Sequence, residues 1–196
     1  MQKFPPLSLY VHIPWCVQKC PYCDFNSHAQ KGTIPEQEYV QHLIADLEAD
    51  LEKYQASIQN RPLHSIFIGG GTPSLFSAES IKLLLTEIQR RIPFSENIEI
   101  TMEANPGTVE AERFKGYVDA GVTRISMGIQ SFNDDKLRVL GRIHNALEAK
   151  SAVDFADKTL KDIGFSWRQD LQYFTVGHRT AQHFSCQTEC TVRYPI

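Results

Sequence analysis

The sequence predicts an α/β protein built on a parallel sheet, and three observations carry that prediction. Four short apolar runs alternate along the chain with four stretches of helical periodicity. Each run is rich in Ile, Val, Leu and Phe and too short for a helix. The residues of unusual chemistry stand just after these runs. Strand–helix alternation implies parallel strands joined by right-handed crossovers, which bring all four strand ends to one edge of the sheet. Sites in parallel α/β folds form at that edge.

The first run, Ser8–Ile13, leads into a loop with three cysteines. A first helix is expected from near Thr33, where Thr33-Ile34-Pro35-Glu36 reads as a capping box with Pro in the first turn. Tyr39, Val40, Leu43, Ile44, Leu47, Leu51 and Tyr54 then mark one face of a 3.6-residue period. The second run, Leu63–Ile68, ends in Gly69-Gly70-Gly71-Thr72-Pro73. A second helix follows from about Ser77, with Ile81, Leu84, Leu85, Ile88 and Ile92 as its stripe. The third run, Ile98–Glu103, closes on Glu103-Ala104-Asn105-Pro106. A third helix is expected from near Thr108 to Gly121, a residue suited to the left-handed position past a helix end. The fourth run, Arg124–Gln130, precedes a fourth helix from about Asn145 to Asp162, with Gly164 as its stop.

Composition narrows the function classes. The chain has 196 residues, 42% hydrophobic and 22% charged, with a net charge of −3. These values argue against a disordered chain. The slight acidity argues against a general nucleic-acid binder, which carries a basic face. No stretch approaches the roughly 18 apolar residues of a membrane span. The start, Met1-Gln2-Lys3-Phe4-Pro5-Pro6, lacks the pattern of an export signal, so a cytoplasmic protein is expected. Clustered thiols in that compartment more often bind metal than form disulfides.

The chemistry centres on Cys16-Val17-Gln18-Lys19-Cys20-Pro21-Tyr22-Cys23, spaced C-x3-C-x2-C. Three thiolates can hold a cubane iron–sulfur cluster and leave one iron open to a small-molecule chelator, since full ligation takes four. A structural zinc site is the alternative, with His12 or His28 as the fourth ligand. The triple glycine reads either as a tight strand-to-helix turn or as a backbone that a ligand approaches closely. Glu103 and Gln130 end strands and can accept or donate to a ligand, or serve only locally. Arg142 can grip a carboxylate in a fork, or remain a surface cation. Tyr10 alternates with Leu9 and Val11, so it is expected to face the interior or a ligand, and it can equally serve as a core aromatic.

The cysteine run, with Tyr22 before its last Cys, resembles the signature of the radical S-adenosylmethionine (SAM) superfamily. More narrowly, Leu7–Cys16 and Cys23–His28 resemble the HemW-type heme chaperones, relatives of the oxygen-independent coproporphyrinogen III oxidases. The likeness continues through Ile68–Ser74, Thr101–Thr108, Arg124–Phe132 and Leu140–His144, over about residues 5–164. The resemblance implies an incomplete parallel (β/α) barrel of the radical SAM type, about four βα units long. It implies a [4Fe-4S] cluster on Cys16, Cys20 and Cys23, and SAM on Tyr10, Gly70, Gly71, Thr72, Glu103, Gln130 and Arg142. Heme is then the cargo and heme-accepting apoproteins the recipients. No residue is assigned as a heme ligand, and none as catalytic. The oxidases carry a further Cys two residues after the third cluster Cys, where this chain has Phe25. That favours a chaperone over a porphyrinogen oxidoreductase.

The resemblance stops near Gly164. Residues 1–164 read as a partial core domain and 165–196 as an aberrant tail, with Asp170-Leu171 about one residue early for the family's next strand. A frame change or truncation near 165–170 accounts for this, and an inactive remnant is a further reading. Four βα units would also leave one edge of the fourth strand unpaired.

Overall fold

The computed structural model describes residues 4–106, 111–160 and 166–171. In chain order the elements are β1 (Leu7–Ile13), β2 (Trp15–Cys16), β3 (His28–Ala29), α1 (Glu36–Lys53), α2 (Gln55–Ile58), β4 (Leu63–Gly70), α3 (Ala78–Arg91) and β5 (Phe94–Ala104). They continue with α4 (Ala111–Ala120), β6 (Arg124–Gln130), α5 (Asp134–Val139), α6 (Ala146–Phe155) and β7 (Ser166–Leu171). A π turn, Ala156–Leu160, follows α6.

Five strands form one parallel sheet in the order β1-β4-β5-β6-β7. This is the expected α/β architecture, an incomplete barrel, with one correction. The outer edge of β6 is not open: Arg124 pairs with Ser166, Ile125 with Trp167 and Met127 with Gln169. The physical reason is that β6 is almost wholly buried, so its edge amides and carbonyls require partners. Backbone pairing needs little from the sequence of the strand that supplies them. The β1 edge has no strand partner beyond β4 among the described residues.

Alternation along the strands gives the sheet two unlike faces. Val11, Ile13, Ile66, Ile68, Ile100, Met102, Ile125, Met127 and Ile129 are buried in the apolar core with α1, α3 and α4. Register keeps that layer continuous, for Val11 pairs with Ile68 and Ile68 with Met102. The opposite phase carries Tyr10, His12, Phe67, Glu103, Ser126 and Gln130.

The helices start and stop largely where local chemistry dictates. Ser77 caps α3 by accepting from Ser80 N–H at 3.2 Å. Asn145 and Glu148 form a full capping box on α6. Gly121 follows α4 at φ +107°, and the amides of Gly121 and Val122 close back on Val118 and Tyr117. The capping box expected at Thr33 is absent: Pro35 is the N-cap of α1, with no side-chain cap. The Glu36 carboxylate turns away and accepts from Ser77 N–H at 2.9 Å and Ser77 Oγ–H at 2.6 Å. Two donors at another helix start outcompete one at its own. The expected ends near Thr108 and at Asp162–Gly164 lie outside the described residues. The short α5 was not expected; six residues show no helical periodicity.

Candidate functional site

The cysteine loop is built as a noose. Its neck is the pair β2–β3, with Trp15 opposite His28 and Cys16 opposite Ala29. Beneath the neck, Trp15 meets Tyr39 edge-on at 4.6 Å and Phe76 at 5.8 Å. Inside the noose, Cys23 N–H closes a turn on Cys20 O at 3.1 Å. His12 braces it: Nε2 donates to Asn26 O at 2.7 Å, so Nδ1 accepts the Tyr10 hydroxyl at 2.9 Å. A carbonyl can only accept, and that fixes the tautomer. Both ring nitrogens are thereby used, which removes His12 as a fourth metal ligand in this arrangement. His28 is exposed. All three cysteines are free thiols, Cys16 buried and the other two half-buried. Among the described residues, no three His, Cys, Asp or Glu side chains stand as ligands around a single ion.

The loop leans over the carboxyl edge of the sheet and encloses a cavity of about 220 Å³. Cys16, Cys20 and Cys23 share its wall with Gly70, Gly71, Thr72, Glu103, Gln130 and Arg142. Nine of the ten expected site residues therefore meet in one place. The tenth, Tyr10, is outside the wall; it lies half-exposed on the same sheet phase, stacked on Phe67 at 6.2 Å. Burial, and then Glu103, raise its phenol above the ordinary value. Whole-ligand pockets usually measure roughly 300–1,000 Å³, so this cavity is smaller than is usual for one.

The glycines serve packing first. Gly70 sits at φ +115°, and a Cβ there would meet the His12 ring at 2.6 Å. A Cβ on Gly71 would stand 2.5 Å from Trp15 O. The amides of Gly71 and Thr72 are bonded to Ile13 O and Trp15 O, each at 2.7 Å. The turn reading thus holds, and the same turn forms part of the cavity wall. Gly70 N–H also holds the Glu103 carboxylate at 3.2 Å.

Gln130 combines two costly features. Its backbone is left-handed at φ +63°, uncommon for a residue with a Cβ, and its buried Oε1 has no hydrogen-bond partner. An unmet buried acceptor costs about 1–3 kcal/mol, and such costs concentrate at ligand sites. Gln130 also lines the cavity.

Arg142 is placed by α5. The amides of Gly141 and Arg142 close back on Arg138 O and Leu137 O, with Gly141 at φ +65°. Its Nη2 donates to Asn105 Oδ1 at 2.6 Å and to Gly128 O at 2.9 Å. Its Nη1 donates to Cys20 Sγ at 3.4 Å and reaches Tyr22 OH at 3.5 Å. Burial pushes the Tyr22 phenol up, against the pull of Arg142. Asn105 then donates to Thr72 Oγ1 at 3.0 Å. Asn105 is the hub that sequence reasoning missed; its place beside Pro106 at a strand end was its only signal. Tyr22, Ser126 and Gly128 line the cavity as well.

The donor set suits an iron–sulfur group: three soft thiols on one wall, beside a carboxylate, an unmet amide oxygen and a guanidinium. The radical SAM superfamily model matches residues 10–167, and the chain belongs to that superfamily. Within it, the chain is 77% identical over 156 residues to the heme chaperone HemW of Haemophilus influenzae, a match covering 80% of this chain and 41% of the relative. It is 60% identical over 156 residues to the heme chaperone HemW of Escherichia coli, covering 80% and 40%. Among solved structures, coproporphyrinogen III oxidase (HemN) from Escherichia coli, a radical SAM enzyme, superposes with a TM-score of 0.67 at 28% identity, covering 85% of this chain and 37% of that one. The chain spans about two-fifths of the length of these curated relatives.

Proposed function

We propose that Cys16, Cys20 and Cys23 hold one [4Fe-4S] cluster and that SAM binds beside it. In this reading the protein acts as a heme chaperone in the cytoplasm, with heme as cargo and heme-accepting apoproteins as recipients. The observation that carries it is the shared wall: three thiols of one loop meet the ends of β4, β5 and β6 around a single cavity. Identity of 77% to a heme chaperone supports the cargo.

A cluster so held keeps one iron open to a chelating ligand and, when reduced, can supply one electron. The chain's own residues do the rest. Gly70, Gly71 and Thr72 form the floor, Glu103 supplies a charged acceptor, Gln130 supplies Oε1, and Arg142 retains one unpaired buried donor, Nε. Tyr10 stands at the margin and positions the loop through His12. All these residues fall within 1–164, which we take as the cofactor-binding core, with β7 extending its sheet. Among the described residues, no helix is long and apolar enough to cross a membrane.

The structural likeness to an oxidase favours a second reading, a radical porphyrinogen oxidoreductase. Against it, Phe25 stands exposed on the cavity wall where the oxidases carry their additional Cys. Hemin titration of the anaerobically reconstituted protein, with a 5′-deoxyadenosine assay under dithionite, separates the two. We expect a saturable heme absorbance band and no porphyrinogen-dependent 5′-deoxyadenosine. Sustained 5′-deoxyadenosine release without heme binding would overturn the chaperone reading.

A further inference from the structure

The guanidinium of Arg142 is committed to the protein before any ligand arrives. Its four contacts tie three separate pieces together: the cysteine loop through Cys20 and Tyr22, the end of β5 through Asn105, and β6 through Gly128. The Asn105–Thr72 bond extends the tie to the turn after β4. The approach is close enough that Gly141, the residue before Arg142, has no room for a Cβ against Pro21. Arg142 is therefore a clamp between the loop and the strand ends, and its cation lies against one sulfur.

A thiol sulfur can share its proton, and Cys20 points one at Gly141 O at 3.8 Å. A thiolate bound to iron can only accept. Two side chains can donate to Cys20 in that state, the Tyr22 hydroxyl and Arg142 Nη1, and of the two only Arg142 is always charged. We propose that Arg142 is a positioning residue for the cluster, which holds the cysteine loop on the sheet edge and raises the cluster's reduction potential through Cys20 Sγ. The inference rests on the reading that Cys16, Cys20 and Cys23 carry a cluster. The couple concerned takes up one electron from an external reductant, with no bond made or broken. The added negative charge spreads over iron, sulfide and thiolate sulfur. A fixed cation donating to that sulfur stabilises the reduced state more than the oxidised one, and hydrogen bonds to the sulfurs are an established lever on such potentials.

The test is a dithionite titration of reconstituted full-length protein, followed by electron paramagnetic resonance (EPR). Wild type, Arg142→Lys, Arg142→Gln and Asn105→Ser are compared at equal iron and sulfide content. Arg142→Gln should be harder to reduce by about tenfold in the reduction equilibrium, about 59 mV for one electron. Arg142→Lys, which keeps the charge but not the fork, should fall between. Asn105→Ser frees Nη2 and should shift the potential the same way by less. Potentials that coincide at full loading would overturn the inference. Should Arg142→Gln load no iron, the other two variants decide it by the same criterion. Wild type that loads no iron and sulfide would instead defeat the cluster reading itself.

Discussion

Gly141 shows how much of the site turns on one missing atom. Its backbone is left-handed, and a Cβ would stand 2.6 Å from the rigid Pro21 ring in the cysteine loop. Gly141→Ala should cost about 1–2 kcal/mol from the backbone alone. It should also push the loop off the strand ends and lower iron retained after reconstitution; iron counting on the folded variant checks this. His144 makes a second residue-scale prediction. It is buried, Nε2 donates to Ile129 O at 3.0 Å, and Nδ1 has no partner. Burial holds its imidazole below the ordinary value, opposed by the bond to Ile129. The unfolded chain then binds a proton that the native state refuses. The stability it contributes is complete above the unfolded value of about 6.5 and falls as pH drops toward the native one. Denaturant midpoints from pH 7.5 to 5.5 should decline more steeply in wild type than in His144→Gln. At this scale, legibility in the sequence depended on residue type. Three cysteines with fixed spacing announce themselves. Asn105 does not, because its importance lies in partners 33 and 37 positions away.

At the scale of elements, four strands (β1, β4, β5 and β6) and three helix starts or stops could be read directly. Ser77, Asn145 and Gly121 act within one turn of themselves, so local sequence suffices. Glu36 did not follow the local rule, because Ser77 offers it two donors across the fold. This link joins the starts of α1 and α3, directly after the glycine turn of the site. Ser77→Ala removes a cap and one of those donors together, and should destabilise by about 1–2 kcal/mol. Glu36→Gln alone should cost less, and the double variant should cost less than the sum, since one hydroxyl serves both contacts. Urea unfolding of the four proteins measures the coupling. Tyr117 reinforces the same region, its buried hydroxyl reaching Ser74 O at 2.9 Å and Phe76 O at 2.7 Å. Burial pushes that phenol up to about 12, so it remains a donor throughout the physiological range.

For the whole molecule, the sheet order brings four sequence-distant segments to one edge, and alternation gives that edge a polar inner phase above an apolar core. The pairing of β7 with β6 could not be read from sequence, because backbone pairing leaves little trace in residue type. The account as a whole depends on the three thiols acting together on one inorganic cluster. Its most direct test is iron and acid-labile sulfide analysis of the anaerobically reconstituted protein, with EPR of the reduced sample before and after SAM is added. The account predicts about four irons and four sulfides per chain, a reduced-cluster signal that changes shape with SAM, and loss of both in Cys23→Ala. Zinc without sulfide, or a cluster signal indifferent to SAM and to Cys23→Ala, would contradict it.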